Sequence, residues 1–188
     1  MGARSIYEQI LGENFHKLHP KIQQRFGFNS THNLASIGRG VMDRIWISPY
    51  AKVPLQLYGM RNILLPQGGV NVPFSIENYA YRDRFGREMV TWIRKFRFKN
   101  RIRRFDAAMF YSEGLRGIVD YLGNKHHLAV DLSVSVEANG GIRIRSGEQR
   151  VYEHRLQFRL PRILTGTADV CEWYDDEEGQ YKISVAVV

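Results

Sequence analysis

Three ionisable side chains fall where strand alternation places apolar faces. In GVMDRIW, Asp43 shares one side of an extended segment with Val41 and Ile45, and Arg94 lies on the side of Trp92 and Phe96. His154 falls in the same way between Tyr152, Leu156 and Phe158. A charge on a buried face is costly unless it is paired, so these positions are the first places to look for chemistry. Asp43 and His154 could exchange protons as an acid/base pair, and Arg94 could hold the carboxylate or phosphate of a ligand. With Trp92, Phe96 and Phe158 as an apolar wall, the set reads as a non-catalytic binding site for a small apolar or amphipathic ligand. The plainer reading is a structural ion pair with a hydrogen-bonded histidine. Sequence does not say which strands are neighbours, so both stand.

A second constellation is the cationic run Lys95, Arg97, Lys99, Arg101, Arg103 and Arg104 in WIRKFRFKNRIRRF. Single-strand-binding sheets place aromatics and cations on one exposed face, where bases stack while phosphates are neutralised. Alternation here sets Trp92, Arg94, Phe96 and Phe98 against Ile93, Lys95, Arg97 and Lys99, so the aromatics and most cations are expected to part. Phe105, Ala107, Met109 and Tyr111 supply a second apolar row beyond a turn near Asn100. A solvated stripe is therefore favoured over nucleic-acid contact. An acidic partner is the other candidate, and Glu172 with Asp175, Asp176, Glu177 and Glu178 offers one within the chain or across a homodimer.

Composition narrows the rest. The chain has 188 residues, a formal charge of +8, 24% charged and 44% hydrophobic residues, which describes a self-folding globular domain rather than a disordered chain. The single cysteine, Cys171, excludes an internal disulfide and a cysteine-based zinc site within one chain. No segment reaches the roughly 18 apolar residues of a membrane helix and the start lacks a signal-peptide pattern, so the expected location is cytoplasmic. Phosphate-cradling, dinucleotide, nucleophile-elbow and zinc-protease motifs are all missing, so no cofactor or metal is expected and an enzyme is the less favoured class. His16 with His19, and His126 with His127, read as surface or capping histidines.

The elements that must position these residues are legible in outline. Residues 5–12 (SIYEQILG) and 20–26 (PKIQQRF) predict two short helices, the first stopped by Gly12 and the second opened by Pro20. From residue 38 the apolar period becomes two, with turn residues recurring as in antiparallel strands. Residues 128–145 predict a hairpin turning at Asn139-Gly140-Gly141, residues 152–160 a single strand, and residues 165–188 a closing hairpin. Nine to eleven strands are too many to lie flat. The expected class is α+β: short N-terminal helices (about 4–27) packed on a strongly bent antiparallel sheet or incomplete barrel (38–188), forming one domain over 1–188.

The segments LHPKIQQRFG (18–27), GVMDRIW (40–46) and REMVTWIRKF (87–96) resemble the bacterial family called domain of unknown function 4166. That resemblance implies a bacterial cytoplasmic domain, found in some relatives alone and in others joined to a nicotinamide-dependent dehydrogenase-like domain. It carries over no catalytic residue. It also implies an apolar, Gly-rich continuation after the last strand, which this sequence lacks at Val188.

Overall fold

The structure is a computed structural model that describes residues 3–47, 67–123, 128–153, 156–159 and 167–187; side chains are described except over 151–159. Two α-helices, α1 (Ile6–Leu11) and α2 (Pro20–Phe26), are followed by ten strands: β1 (Ala35–Ile45), β2 (Gly69–Arg82), β3 (Glu88–Phe98), β4 (Arg101–Ser112), β5 (Gly117–Leu122), β6 (Leu128–Val136), β7 (Ile142–Glu153), β8 (Leu156–Arg159), β9 (Ala168–Asp175) and β10 (Gln180–Val187). The strands form one antiparallel sheet in the order β1-β2-β3-β4-β5-β6-β7-β9-β10, with β8 paired to β7 beside that path. The sheet curls into a half-barrel, and the helices lie in its hollow. Among the described residues, no helix is long and apolar enough to cross a membrane.

Both predicted helices form, for the reasons their sequences give. Ser5 caps α1 in a reciprocal box: its hydroxyl accepts from the Glu8 amide at 3.1 Å, and the Glu8 carboxylate accepts from the Ser5 amide at 2.6 Å. Such a cap is worth about 1 kcal/mol. Gly12 ends the helix with φ of 53°, and the chain continues as a 3-10 helix (Gly12–Lys17), which the period had not announced. Pro20 occupies the first turn of α2, and the His19 imidazole accepts from the Lys21 amide.

Each helix is too short to be stable alone, so packing must hold it. Ile6, Tyr7, Leu11, Phe15, Ile22 and Phe26 are buried against Ile76, Val90, Trp92, Met109, Ile118 and Ile142 of the sheet. Burying side chains such as Ile6, Ile22 and Phe26 contributes about 1.5–3 kcal/mol each. The Tyr7 and Phe26 rings meet edge-on at 4.8 Å. The predicted β6–β7 hairpin also fixes α2. The Gly140 carbonyl accepts from the His19 amide at 2.8 Å, and Gly140 has φ of 74° with its Cβ position 2.9 Å from that nitrogen. Any side chain at Gly140 would both strain the turn and push α2 away. On the other side the His19 ring stacks on Tyr174 at 5.1 Å, and the Tyr181 hydroxyl donates to the Lys21 carbonyl.

Two expectations change. The single strand predicted over 152–160 is a hairpin, because β7 runs to Glu153 and returns as β8 with Glu153 opposite Leu156. Alternation within one strand is therefore no guide to faces across that turn. The predicted final hairpin forms, but β9 joins the sheet through β7, with Ile142 opposite Glu172. A bidentate pair ties this join: Arg143 donates to Asp169 at 2.8 and 2.7 Å, and those bonds pull the Asp169 carboxyl down to about 2.

Candidate functional site

Register defines a polar layer in the hollow of the sheet. Asn78 of β2 stands opposite Trp92 of β3, which stands opposite Ala107 of β4. One step along, Ile76, Arg94 and Phe105 form the next rung, and Asp120 of β5 faces Met109. Partners in an antiparallel pair point to the same side, so these side chains share the face that the helices cover.

The Arg94 guanidinium lies 3.8 Å from the centre of the Phe105 ring and 5.4 Å from that of Trp92, and its Nε donates to the Phe105 carbonyl at 3.4 Å. Desolvation pushes its pKa down, while Asp120, Tyr7 and Asp106 oppose that shift. Part of its surface remains exposed, so the layer has an accessible edge. Asp120 is only 7% exposed, and burial raises its carboxyl to about 7 against the lowering pull of Arg94. The Tyr7 hydroxyl of α1 donates to the Met109 sulfur at 3.9 Å, and burial, with Asp120 next, pushes its pKa far up. Four buried side-chain atoms on this face have no hydrogen-bonding protein partner: Asn78 Oδ1, Trp92 Nε1, Asp120 Oδ1 and Arg103 Nε. Nearby, Arg25 of α2 forms a buried ion pair with Glu172 of β9 and lies against the Tyr181 ring at 5.8 Å. Burial raises the Glu172 carboxyl, and Arg25 opposes that shift.

Trp92, Arg94 and Phe96 lie on the concave face, as alternation predicts. Asp43 does not join them. It is exposed on edge strand β1, in a stretch where Met42 pairs Val72 and Arg44 pairs Val70, beside Asn71 with φ of 51°. The apolar face assumed for it is itself open, since Val41 is 55% exposed. Asp43 adds to the upward pull on the Lys182 amine of β10, which Glu178 dominates. His154 lies outside the described residues, and so does the pairing of Asp43 with it. Phe158 stands in β8 opposite Val151.

The cationic run is also rearranged. A two-residue turn at Lys99 and Asn100 sets Phe98 opposite Arg101 and Phe96 opposite Arg103. Arg101 and Arg103 therefore share the aromatic face with Arg94, whereas Lys95, Arg97 and Arg104 lie on the convex face. The expected parting of aromatics from most cations holds for β3 and fails for β4, where Arg101 and Arg103 alternate in phase with Phe105. Lys95 pairs with Glu77 and Arg104 with Asp106, both at 2.7 Å. Of the acidic group, Glu172 serves Arg25, Glu178 serves Lys182, and Asp176 stands 3.4 Å from His19.

Asp120 was the residue that sequence reading passed over. In GIVDYL it alternates with Ile118 and Leu122, which is the same signal that drew attention to Asp43. Glu172 carries the same signal, alternating with Val170 and Tyr174, whereas Tyr7 and Arg25 stand on short helices and meet partners 102 and 147 residues away.

A half-barrel closed over short helices with a buried Arg–Asp layer describes a small α+β domain. The family model described as "Domain of unknown function (DUF4166)" matches residues 18–188, and the chain belongs to that family. It is 33% identical over 184 residues, 97% of this chain and 88% of the relative, to "Uncharacterized protein YndH" of Bacillus subtilis (strain 168). No solved structure matches.

Proposed function

We propose that this chain is a non-catalytic binding domain for a small amphipathic anion, taken up at the edge of the concave layer beside Arg94, Arg103 and Phe96. The observation that carries this reading is the buried, partnerless donor Arg103 Nε on the face that Arg94 and Phe96 share. A finished core leaves few such donors, and an anionic ligand is one way to satisfy this one. Arg94 and Arg103 supply guanidinium donors for a carboxylate or sulfonate. Phe74 and Phe96, stacked at 5.9 Å, supply an apolar floor. The helices fill the rest of the hollow, which limits the ligand to a small one.

The first test compares native and denatured mass spectra of the gently purified protein for a released small molecule, then titrates the protein with anilinonaphthalene sulfonate. Saturable binding that weakens at least about tenfold in Arg94→Met and in Arg103→Met supports the reading, since a charged hydrogen bond contributes about 1.5–3 kcal/mol. No retained mass together with no probe binding, or binding indifferent to both substitutions, overturns it.

A second reading rests on the hairpin tip. Arg97, Lys99 and Arg101 are exposed, and no ion pair joins them to a described acidic residue. Under this reading the tip contacts phosphates, and an oligonucleotide titrated at rising salt loses affinity with a log–log slope of about −2 to −3, as three contacts require. A flat response removes it.

A further inference from the structure

A cleft separate from the concave layer opens at the rim of the half-barrel. The start of α1, the β2–β3 turn and the end of β4 enclose about 450 Å³. That volume is within the usual range for small-molecule sites, about 300–1,000 Å³. Its lining divides into groups already committed and groups still available. Arg87 is committed: it donates to Asp83 at 2.8 and 2.7 Å, and its guanidinium lies over the Phe110 ring at 4.1 Å. Glu88 is committed too, because its two oxygens accept from the amide and hydroxyl of Ser30. Arg82 reaches Glu88 only at 4.0 Å and through Nε, which leaves its terminal nitrogens available. Arg4 and Glu113 also line the cleft, are exposed, and have no side-chain hydrogen bond or ion pair among the described residues. Tyr111 and Ser112 complete the lining beside Glu113.

The lining offers two chemistries. Two arginines with available guanidiniums match a phosphate, which accepts several charge-assisted bonds. A free carboxylate with two neighbouring hydroxyls matches the hydroxyl groups of a polyol, because a carboxylate accepts from them and hydroxyls both donate and accept. We infer that the rim cleft binds a sugar phosphate, with the phosphate on Arg4 and Arg82 and the sugar hydroxyls on Glu113, Ser112 and Tyr111.

Calorimetric titrations of the full chain with glucose phosphate, inorganic phosphate and glucose test this inference. Glucose phosphate should bind at least about tenfold more tightly than inorganic phosphate, and glucose alone should bind undetectably. Arg4→Ala and Arg82→Ala should each weaken both phosphate ligands about tenfold or more, whereas Glu113→Ala should erase the preference for the sugar ester. These side chains are exposed, so the substitutions leave the fold in place, and Arg94→Met should leave the titration unchanged whatever it does to the concave layer. Equal affinity for inorganic phosphate, absence of saturable binding, or binding insensitive to Arg4 and Arg82 overturns the inference.

Discussion

Replacing Asp120 with Asn should raise the melting temperature at pH 8 and change little near pH 4. Asp120 lies buried in β5, where desolvation lifts its carboxyl from 3.8 to about 7. A raised folded-state pKa means that the native chain holds this proton more tightly than the unfolded chain does. Its contribution to stability is therefore intact below about pH 4 and declines as pH rises towards 7, where an unfavourable buried carboxylate must form. The gap corresponds to about 4 kcal/mol as an upper bound. Arg94 limits the penalty by attracting the charged form. Asparagine keeps the shape without the charge, so the variant should gain several degrees at pH 8, at about 2–4 °C per kcal/mol for a chain of this size. Melting curves from pH 4 to 8 decide the matter. A wild-type profile without this decline, or an Asn variant with the same slope as wild type, would show that the carboxyl is not held in this way. Asp169, pulled down to about 2, acts in the opposite sense and at lower pH, where protonation loses its bonds to Arg143 and Arg145.

Arg25→Met should be among the most damaging single substitutions in the chain. Arg25 and Glu172 have side chains only 11% and 5% exposed, and their ion pair joins α2 to β9 across the hollow. The pair need not be strongly stabilising in itself, because its desolvation cost offsets much of the attraction. Removing one member is different: Glu172 would remain buried without its counter-charge, at a cost of about 3–5 kcal/mol. The stacking of Arg25 on Phe26 and Tyr181 would also be lost. The double variant Arg25→Met, Glu172→Leu should recover most of the loss, since no buried charge is then left alone. Urea denaturation of the wild type and the two variants measures both steps. A double variant no more stable than Arg25→Met alone would place the effect in packing rather than charge.

Local chemistry was legible wherever a few neighbouring residues decided the outcome. Ser5 with Glu8, Pro20, Gly12 and the Asn139-Gly140-Gly141 turn each act within a few positions, and the helices and the β6–β7 hairpin formed where those residues placed them. The number of strands and their period of two led to a bent antiparallel sheet by the same local logic. Arg94 was found because β3 keeps strict alternation from Trp92 to Phe98 between two neighbours.

The same rule failed for Asp43, since alternation gives the phase of a strand but not its place in the sheet. β1 is an edge, and neither of its faces is well covered at that point. Applied to β4, the rule places Arg101 and Arg103 with Phe105 on the aromatic face, which treating the cations as one run had concealed. The sequence by itself determined the helix caps, the strand period and the surplus of positive charge, all of which follow from short-range sterics and composition. Only the tertiary structure decided that Arg94 and Asp120 share one buried face, that Arg25 meets Glu172, and that the helices fill most of the hollow. Those contacts join residues far apart in the chain, and long-range burial rather than local propensity fixes them.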